Sequence, residues 1–423
     1  MSSSPPIDAV VKPCAFNNLP PEILSRIFIL CTLYPIELPY VTDDLPDQLV
    51  LSQVCLKWRQ IALDCAELWN NVMILQFDAD YDHCASLYRT WVARAKDFPL
   101  TVKMELVTND LDVCKIFRDF VLSFRIKMLA VTLSYETLSQ LQDVPSLDIE
   151  EFSVGLTDFP ADTEFIVPLF MGQVQRLCFR CLGATTHQQI LGLPNTLLDN
   201  LRLPWHHLRI FECHPPAVPL AKWISILRLI PSLEKCYISI FRMGSGKLEG
   251  VSMPNLHWFI LELHSLHPNI VVPLFTVPQI TTLGIYSSGG WSMKTYDMVK
   301  MQYNLQQLER IELHLGYCPL SIAQILRDAP MIYHLHVWGN VILDADAHEK
   351  IASGQLGRFL TELRLARSHN GDGATWLGMV EARQKNICLM VDRVSNWKQE
   401  FTGLKWVEFR DVDRNIWYHS HTN

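Results

Sequence analysis

A six-residue pattern, apolar-x-x-apolar-x-apolar, begins at Met128, Ile149, Val174, Leu198, Leu233, Leu256, Ile280, Leu308, Ile332, Leu360 and Leu404. Successive starts are 21, 25, 24, 35, 23, 24, 28, 24, 28 and 44 residues apart. Most of these spacings lie near the period of about 20 to 29 residues at which short strand-containing repeats stack. One such unit cannot bury its apolar side alone, so its neighbours must cover it and the chain folds as an array rather than around one central core.

The segments between these patterns have a regularity of their own. PLAKWISILRLIPSL places Leu220, Trp223, Ile224, Leu227 and Ile230 on one helical face, and Pro231 ends the helix before Leu233 opens the next strand. SIAQILRDAPMI repeats the arrangement with Ile322, Ile325, Leu326 and Ala329, ended by Pro330. Pro254 and Pro278 precede their strands in the same register. Proline cannot extend a helix and is tolerated where a strand begins, so the unit reads helix, proline, strand. The long gap before Leu404 is expected to hold a helix at about 374 to 384 and a strand at 387 to 391. Residues 73 to 127 read as a joining helix around Ser86 to Ala95 followed by capping strands.

The N-terminal part does not follow this period. In NLPPEILSRIFILC, Pro20 and Pro21 stand where a first helical turn tolerates the missing N-H. The helix carries two apolar stripes: Ile23, Ile27 and Leu30 form one, and Leu24, Phe28 and Cys31 lie beside them. A surface helix keeps one stripe about 100° wide, so two stripes require two burial surfaces. Downstream, LVLSQVCLKWRQIALDCAELWNNVMI repeats apolar residues at helical spacing after a proline-rich and acidic loop. This helical module spans residues 18 to 72, and residues 1 to 17 read as a disordered leader.

Bulk properties restrict what the chain can do. Its 423 residues exceed the length at which single cores stop growing. The net charge of -8, with no basic run, argues against a nucleic-acid binder, because such affinity comes from neutralising phosphates. No uninterrupted apolar stretch of membrane-spanning length occurs, and the start lacks the basic-then-apolar order of a signal or transit peptide. Twelve cysteines without framework spacing read as reduced residues of an intracellular protein.

The residues of the N-terminal module resemble the F-box family. The resemblance rests on Leu19-Pro20-Pro21-Glu22-Ile23-Leu24, Ile27-Phe28, Val54-Cys55-Leu56-Lys57-Trp58-Arg59, Ile61-Ala62 and Leu68-Trp69, which follow the family pattern in order. One departure is the loop over residues 32 to 48, which is longer than the compact family pattern. The resemblance implies docking onto a Skp-type adaptor, and through it a cullin, by Leu19, Pro20, Ile23, Leu24, Ile27, Phe28, Val54, Cys55, Trp58, Ile61, Leu68 and Trp69. The following units resemble irregular leucine-rich repeats, which often follow F-boxes. Together they imply a small all-helical F-box-like module and then, over residues 128 to 423, an irregular α/β solenoid with a curved parallel sheet.

If the pattern residues point inward, their flanking residues line the opposite, concave face. Among these, Tyr237, Trp258, Tyr286, Arg310, His314, His334, His336, Trp338, Arg364 and Trp406 are the candidate substrate contacts, because Trp, Tyr and Arg are enriched at interface hot spots. The mixed charge suits a folded protein or peptide better than a nucleic acid. His314, His334 and His336 raise a metal question, as do Cys178 and Cys181 with His187, His206, His207, Cys213 and His214. The first three histidines have no Asp, Glu or Cys beside them in a catalytic order, and the C-x-x-C pair Cys178 and Cys181 has no second pair at a regular finger spacing, so no metal or cofactor is expected. RMGSGKLEG lacks the first glycine and the final Ser or Thr of a phosphate loop, HEKIA lacks a second zinc-protease histidine, and no G-x-S-x-G elbow occurs. The expectation is therefore a non-catalytic substrate receptor of a Skp-cullin-F-box ubiquitin ligase, cytoplasmic or nuclear, without membrane or nucleic-acid partners. The competing reading is a repeat scaffold whose N-terminal helices are structural.

Overall fold

A computed structural model describes residues 15–32, 34–38, 45–74, 81–106, 111–139, 148–157, 173–181, 205–245, 248–288, 290–342, 346–366, 378–379, 381–383, 388–392 and 407–410. The chain divides into two compact units, the first running to Pro160 and the second from Gln175 onward apart from short exchanged stretches.

The first unit opens with a 3-10 turn, Ala15–Asn18, and three short helices: α1 (Pro21–Cys31), α2 (Asp47–Gln53) and α3 (Leu56–Asp64). Between α1 and α2 lies a short strand, β1 (Ile36–Leu38), inside the stretch read from sequence as loop. A 3-10 turn at Ala66–Trp69 leads into β2 (Asn71–Ile74), which pairs in parallel with β1. Three more units follow: α4 (Tyr81–Ala95) with β3 (Leu100–Leu106), α5 (Leu111–Ser123) with β4 (Ile126–Leu133), and α6 (Tyr135–Ser139) before β5 (Glu151–Leu156). Strands β1 to β5 pair in sequence order, all parallel. Repetition thus begins at β2 and β3, well before Met128. Met128 itself is not a unit start: it is half-buried while Ile126, Leu129, Val131 and Leu133 are the buried residues of β4, and β5 aligns with the strand two residues out of the assumed register.

In the second unit ten strands lie side by side in parallel, in the order β6 (Arg176–Cys181), β7 (Ile210–Val218), β8 (Lys235–Ile240), β10 (Trp258–Leu263), β12 (Thr282–Ser287), β13 (Arg310–Ser321), β14 (His334–Ile342), β15 (Glu362–Ala366), β16 (Cys388–Asp392) and β17 (Val407–Arg410). The connections hold a second, two-stranded parallel pair, β9 (Val251–Ser252) with β11 (Phe275–Thr276). Parallel neighbours need crossover connections, and helices Leu220–Leu227, Met293–Gln302, Ile322–Asp328 and Ala347–Ala352 supply several of them. The architecture is a leucine-rich-repeat-like α/β solenoid.

The repeat pattern works as its chemistry requires. Leu220, Trp223, Ile224, Leu227 and Ile230 are all buried, as are Ile322, Ile325, Leu326 and Ala329. Register is held at each strand entry by one recurring backbone bond: Arg209, Glu234, His257, Thr281, Glu309, Tyr333 and Thr361 each donate N-H to the carbonyl of the equivalent residue one unit earlier, at 2.7–3.0 Å. Carbonyls left by the proline turns are met by side-chain amides, Asn255 to Pro231 at 3.1 Å and Gln307 to Pro278 at 2.9 Å. One assumed start shifts. Leu198 lies outside the described residues, and among the described residues the strand in that interval is β7, whose pattern is Leu208-x-x-Phe211-x-Cys213, all three buried. The strand expected at 387 to 391 is present as β16, whereas most of the helix expected at 374 to 384 lies outside the described residues. No helix among the described residues is long and apolar enough to cross a membrane.

Candidate functional site

Two surfaces concentrate the residues singled out from sequence. The first is formed by α1, α2 and α3. Pro21 starts α1 with a fixed helical φ, and Thr32 closes it by donating its N-H and its hydroxyl to the Phe28 carbonyl, both at 3.1 Å. Of the two stripes on α1, Leu24 and Phe28 face the unit's own core, where Phe28 meets Trp58 with ring centroids 4.9 Å apart. Ile23 and Leu30 on the other stripe are 49 % and 61 % exposed, and Ile27 is half-buried. Val50, Val54, Leu56 and Leu63 on the neighbouring helices are exposed as well. So many large apolar side chains open to water on three adjacent helices are uncommon on a protein surface without a partner.

The twelve residues assigned to docking therefore separate. Pro20, Ile23 and Val54 are exposed, and Leu19, Ile27, Cys55 and Trp58 are half-buried. Leu24, Phe28, Ile61, Leu68 and Trp69 are buried in the unit's core and shape that surface from beneath. The Trp69 indole donates to the Ala62 carbonyl at 2.8 Å, packs 4.9 Å from the Trp91 ring and is capped by Arg94 at 4.5 Å. The Cys55 sulfur accepts the Trp58 N-H at 3.5 Å and so starts α3, while Lys57 reaches the Leu19 carbonyl at 3.1 Å.

The second surface is the open face of the sheet in the second unit. Parallel register lines up Lys235, Trp258, Thr282, Arg310, His334 and Glu362 in one row across the strands. The next row holds Glu212, Tyr237, Ile260, Gly284, Glu312, His336 and Arg364, and a third holds Ser239, Glu262, Tyr286, His314 and Trp338. Tyr237, Ile260 and Tyr286 form a buried cluster against which Trp258 and Trp338 pack. Gly284 leaves the room for this cluster, since a Cβ there would stand 3.0–3.1 Å from three atoms of Ile260.

Around the cluster runs a chain of hydrogen bonds and ion pairs. The Tyr237 hydroxyl donates to Glu262 at 2.8 Å, and the Tyr286 hydroxyl donates to Glu312. Arg310 Nε donates to Glu312 at 2.5 Å. His336 lies between two acids, with Nε2 2.7 Å from Glu362 and Nδ1 3.8 Å from Glu312. His334 meets the other Glu362 oxygen at 3.0 Å, and Arg364 lies over the Trp338 ring at 5.4 Å. The two histidine contacts hold the Glu362 carboxyl well below the usual range. Burial, reinforced by Glu262 and Glu312, pushes the Tyr237 and Tyr286 phenols well up, so both stay neutral donors.

Of the ten proposed substrate contacts, Trp258, Arg310, His314, His334, Trp338 and Arg364 are partly exposed. Tyr237, Tyr286 and His336 are buried beneath them, because each engages a glutamate of the next strand in the sheet. Trp406 lies outside the described residues. The three histidines do not converge on one point: His334 and His336 are drawn to Glu362, while His314 lies beside Trp338 in a different row.

Val174 places β6 correctly, whereas β7 has no counterpart among the pattern starts read from sequence. A register through Leu198 leaves Glu212 out of the candidates and makes His214 only a distant ligand for Cys178 and Cys181. The Leu208-x-x-Phe211-x-Cys213 pattern carried the signal. In the structure Cys178 on β6 is paired with Glu212 on β7, and His214 is two residues further along β7. Their donor atoms all lie within 4.8 Å of one another. Glu212 also meets Arg176 at 3.5 Å. Burial alone would raise the Glu212 carboxyl, but His214, Arg176 and Arg180 outweigh it and hold it down. Burial likewise disfavours charge on His214, yet its contacts with Cys178 and Glu212 push it up to about 9. Cys213 points to the opposite, apolar side, and His206 and His207 are exposed in a 3-10 turn, their rings tilted at 43° with centroids 4.1 Å apart.

Comparison with known proteins bears on the first surface. A family model described as F-box-like matches residues 16–74, the stretch that contains α1, α2, α3, β1 and β2. No curated protein matches the chain.

Proposed function

We propose that this chain is the substrate-recognition subunit of a Skp-cullin-F-box type ubiquitin ligase, working without catalytic residues of its own. The observation that carries the reading is the F-box-like domain at residues 16–74, whose helices leave Ile23, Leu30, Val50, Val54 and Leu56 open to water. An F-box implies a Skp-type adaptor. Burial of one large aliphatic side chain contributes roughly 1.5 to 3 kcal/mol, so a handful of these residues supports a lasting complex.

In this reading the solenoid face holds a protein substrate. Trp258, Arg310, His314, His334, Trp338 and Arg364 supply the contacts, and Tyr237, Tyr286, His336 and their glutamates hold those side chains in place. Holding a substrate near the ubiquitin-charged enzyme raises the effective concentration of its lysines, a tethering effect that needs no acid or base from the receptor. The site of action is then the cytoplasm or nucleus, without nucleic acid or membrane.

The test is co-purification of the full chain with a Skp-type adaptor, comparing the natural sequence with Ile23→Asp and Val54→Asp, which alter exposed positions only. Retention by the natural chain and loss by folded variants supports the reading. Retention by neither, with a soluble and monodisperse chain, supports a repeat scaffold with structural N-terminal helices. Ubiquitination of a captured protein in the reconstituted ligase then tests the second half.

A further inference from the structure

We infer that Cys178, Glu212 and His214 form a binding site for a zinc-class transition-metal ion on the open face of β6 and β7. Three features carry the inference, and none of them depends on the ligase reading.

The first is placement by backbone register. Cys178 and Glu212 are direct partners on adjacent parallel strands, and His214 follows Glu212 by two residues, which returns it to the same face. Rigid, hydrogen-bonded strands therefore fix all three Cα positions, as a metal site of defined geometry requires.

The second is donor geometry and type. The three ligand atoms lie within 4.8 Å of one another. A tetrahedral zinc shell, with bonds of about 2.0 to 2.3 Å, spaces its donors at roughly 3.3 to 3.8 Å. Small side-chain rotations close that difference without moving backbone. One sulfur, one imidazole nitrogen and one carboxylate oxygen suit zinc or cobalt, and they do not suit magnesium or calcium, which take oxygen shells. A thiolate and a carboxylate also balance the two charges of the ion.

The third is the arrangement around the ligands. Arg176 engages Oε1 of Glu212 at 3.5 Å, while Oε2 is the oxygen turned toward His214 Nε2, 3.8 Å away. Glu212 is thus oriented to bind through one oxygen, with the arginine as its outer partner. The His214 ring is backed by the Tyr237 ring, centroids 4.2 Å apart. Cys178 is buried, whereas the Glu212 and His214 side chains keep 16 % and 19 % of their surface exposed. Three protein ligands with an open side leave a fourth position for water or for a side chain of a bound protein.

The experiment loads the purified full chain with cobalt(II) and with zinc. Expected are one ion per chain after gel filtration and, with cobalt, a sulfur-to-metal charge-transfer absorption in the near ultraviolet. Cys178→Ser removes that absorption, and the isosteric Glu212→Gln weakens binding at least about tenfold, as loss of an oriented ligand does. Circular dichroism checks that each variant is folded, and Cys213→Ser, on the apolar side, leaves the signal intact. The inference is overturned if no cobalt or zinc stays with the folded chain. It is equally overturned if Cys181→Ser removes the absorption while Cys178→Ser does not, or if folded Glu212→Gln binds as tightly as the natural chain.

Discussion

His336 places its Nε2 2.7 Å from one carboxylate oxygen of Glu362 on the neighbouring strand. The other oxygen of that carboxylate meets His334 at 3.0 Å, so a single glutamate joins two alternate residues of β14. The Glu362 carboxylate is thus the fastening between two strands of the open face.

This arrangement makes stability depend on pH in a defined direction. Contacts with His334 and His336 lower the Glu362 carboxyl below its unfolded value, so its contribution is fully present above about pH 4.3 and is lost as pH falls further. Glu362→Gln is expected to lower stability by about 1 to 3 kcal/mol at neutral pH, with the difference from the natural chain shrinking in acid. Denaturant melts at pH 7 and in acid measure this. A difference that stays constant with pH would mean the carboxyl titrates normally.

At Gly284 the prediction is steric. An added Cβ would stand 3.0–3.1 Å from three Ile260 atoms, and Ile260 is buried and branched at Cβ, so it cannot easily turn aside. Gly284→Ala should cost about 1 to 3 kcal/mol. Ile260→Ala in the same chain should offset much of that cost. A double-mutant cycle reads the coupling; additive effects would show that the two residues do not compete for space.

The two sides of α1 should respond differently to substitution. Phe28 is fully buried, and Phe28→Ala is expected to cost about 3 to 5 kcal/mol and to lower the melting temperature. Ile23→Asp should leave the melting temperature of the chain nearly unchanged, because nearly half of that side chain already faces water. Thermal melts of both variants decide it, and a large loss in Ile23→Asp would place that residue in the core.

Trp223 gives a test of the repeat interior. Its indole donates to the Ser239 carbonyl at 2.8 Å, and its ring packs 5.5 Å from Phe211, so helix and strands are joined through one side chain. Trp223→Phe keeps the apolar contact and leaves the carbonyl without its donor, at a cost of about 1 to 3 kcal/mol. Trp223→Ala should cost about 3 to 5 kcal/mol. Equal losses in the two variants would show that packing at Trp223 matters little beside the hydrogen bond.

Much of the solenoid was legible because a buried parallel strand needs apolar residues at fixed offsets, and those offsets survive in the sequence. Units opening two residues after Val174, Leu233, Leu256, Ile280, Leu308, Ile332 and Leu360 stand where the pattern puts them. The pattern failed where two registers fitted equally well. Leu198-x-x-Leu201-x-Leu203 and Leu208-x-x-Phe211-x-Cys213 have the same form, and apolar character alone does not choose between them. At β4 the run IKMLAVTL offered Met128 as readily as Ile126, and only pairing with β3 and β5 distinguishes them.

By itself the sequence determined the class of fold, the repeat period, the helix-proline-strand unit and the two-sided character of α1. These follow from local periodicity, proline chemistry and the need to bury apolar stripes, which act over a few residues. Only the tertiary structure decided which stripe of α1 is turned inward, and which of the open-face residues reach solvent. It also brought Cys178, Glu212 and His214 together. Burial and side-chain pairing depend on register between residues far apart in the chain, here 34 positions between Cys178 and Glu212. That register is set by hydrogen bonds between units rather than by any residue's own preference.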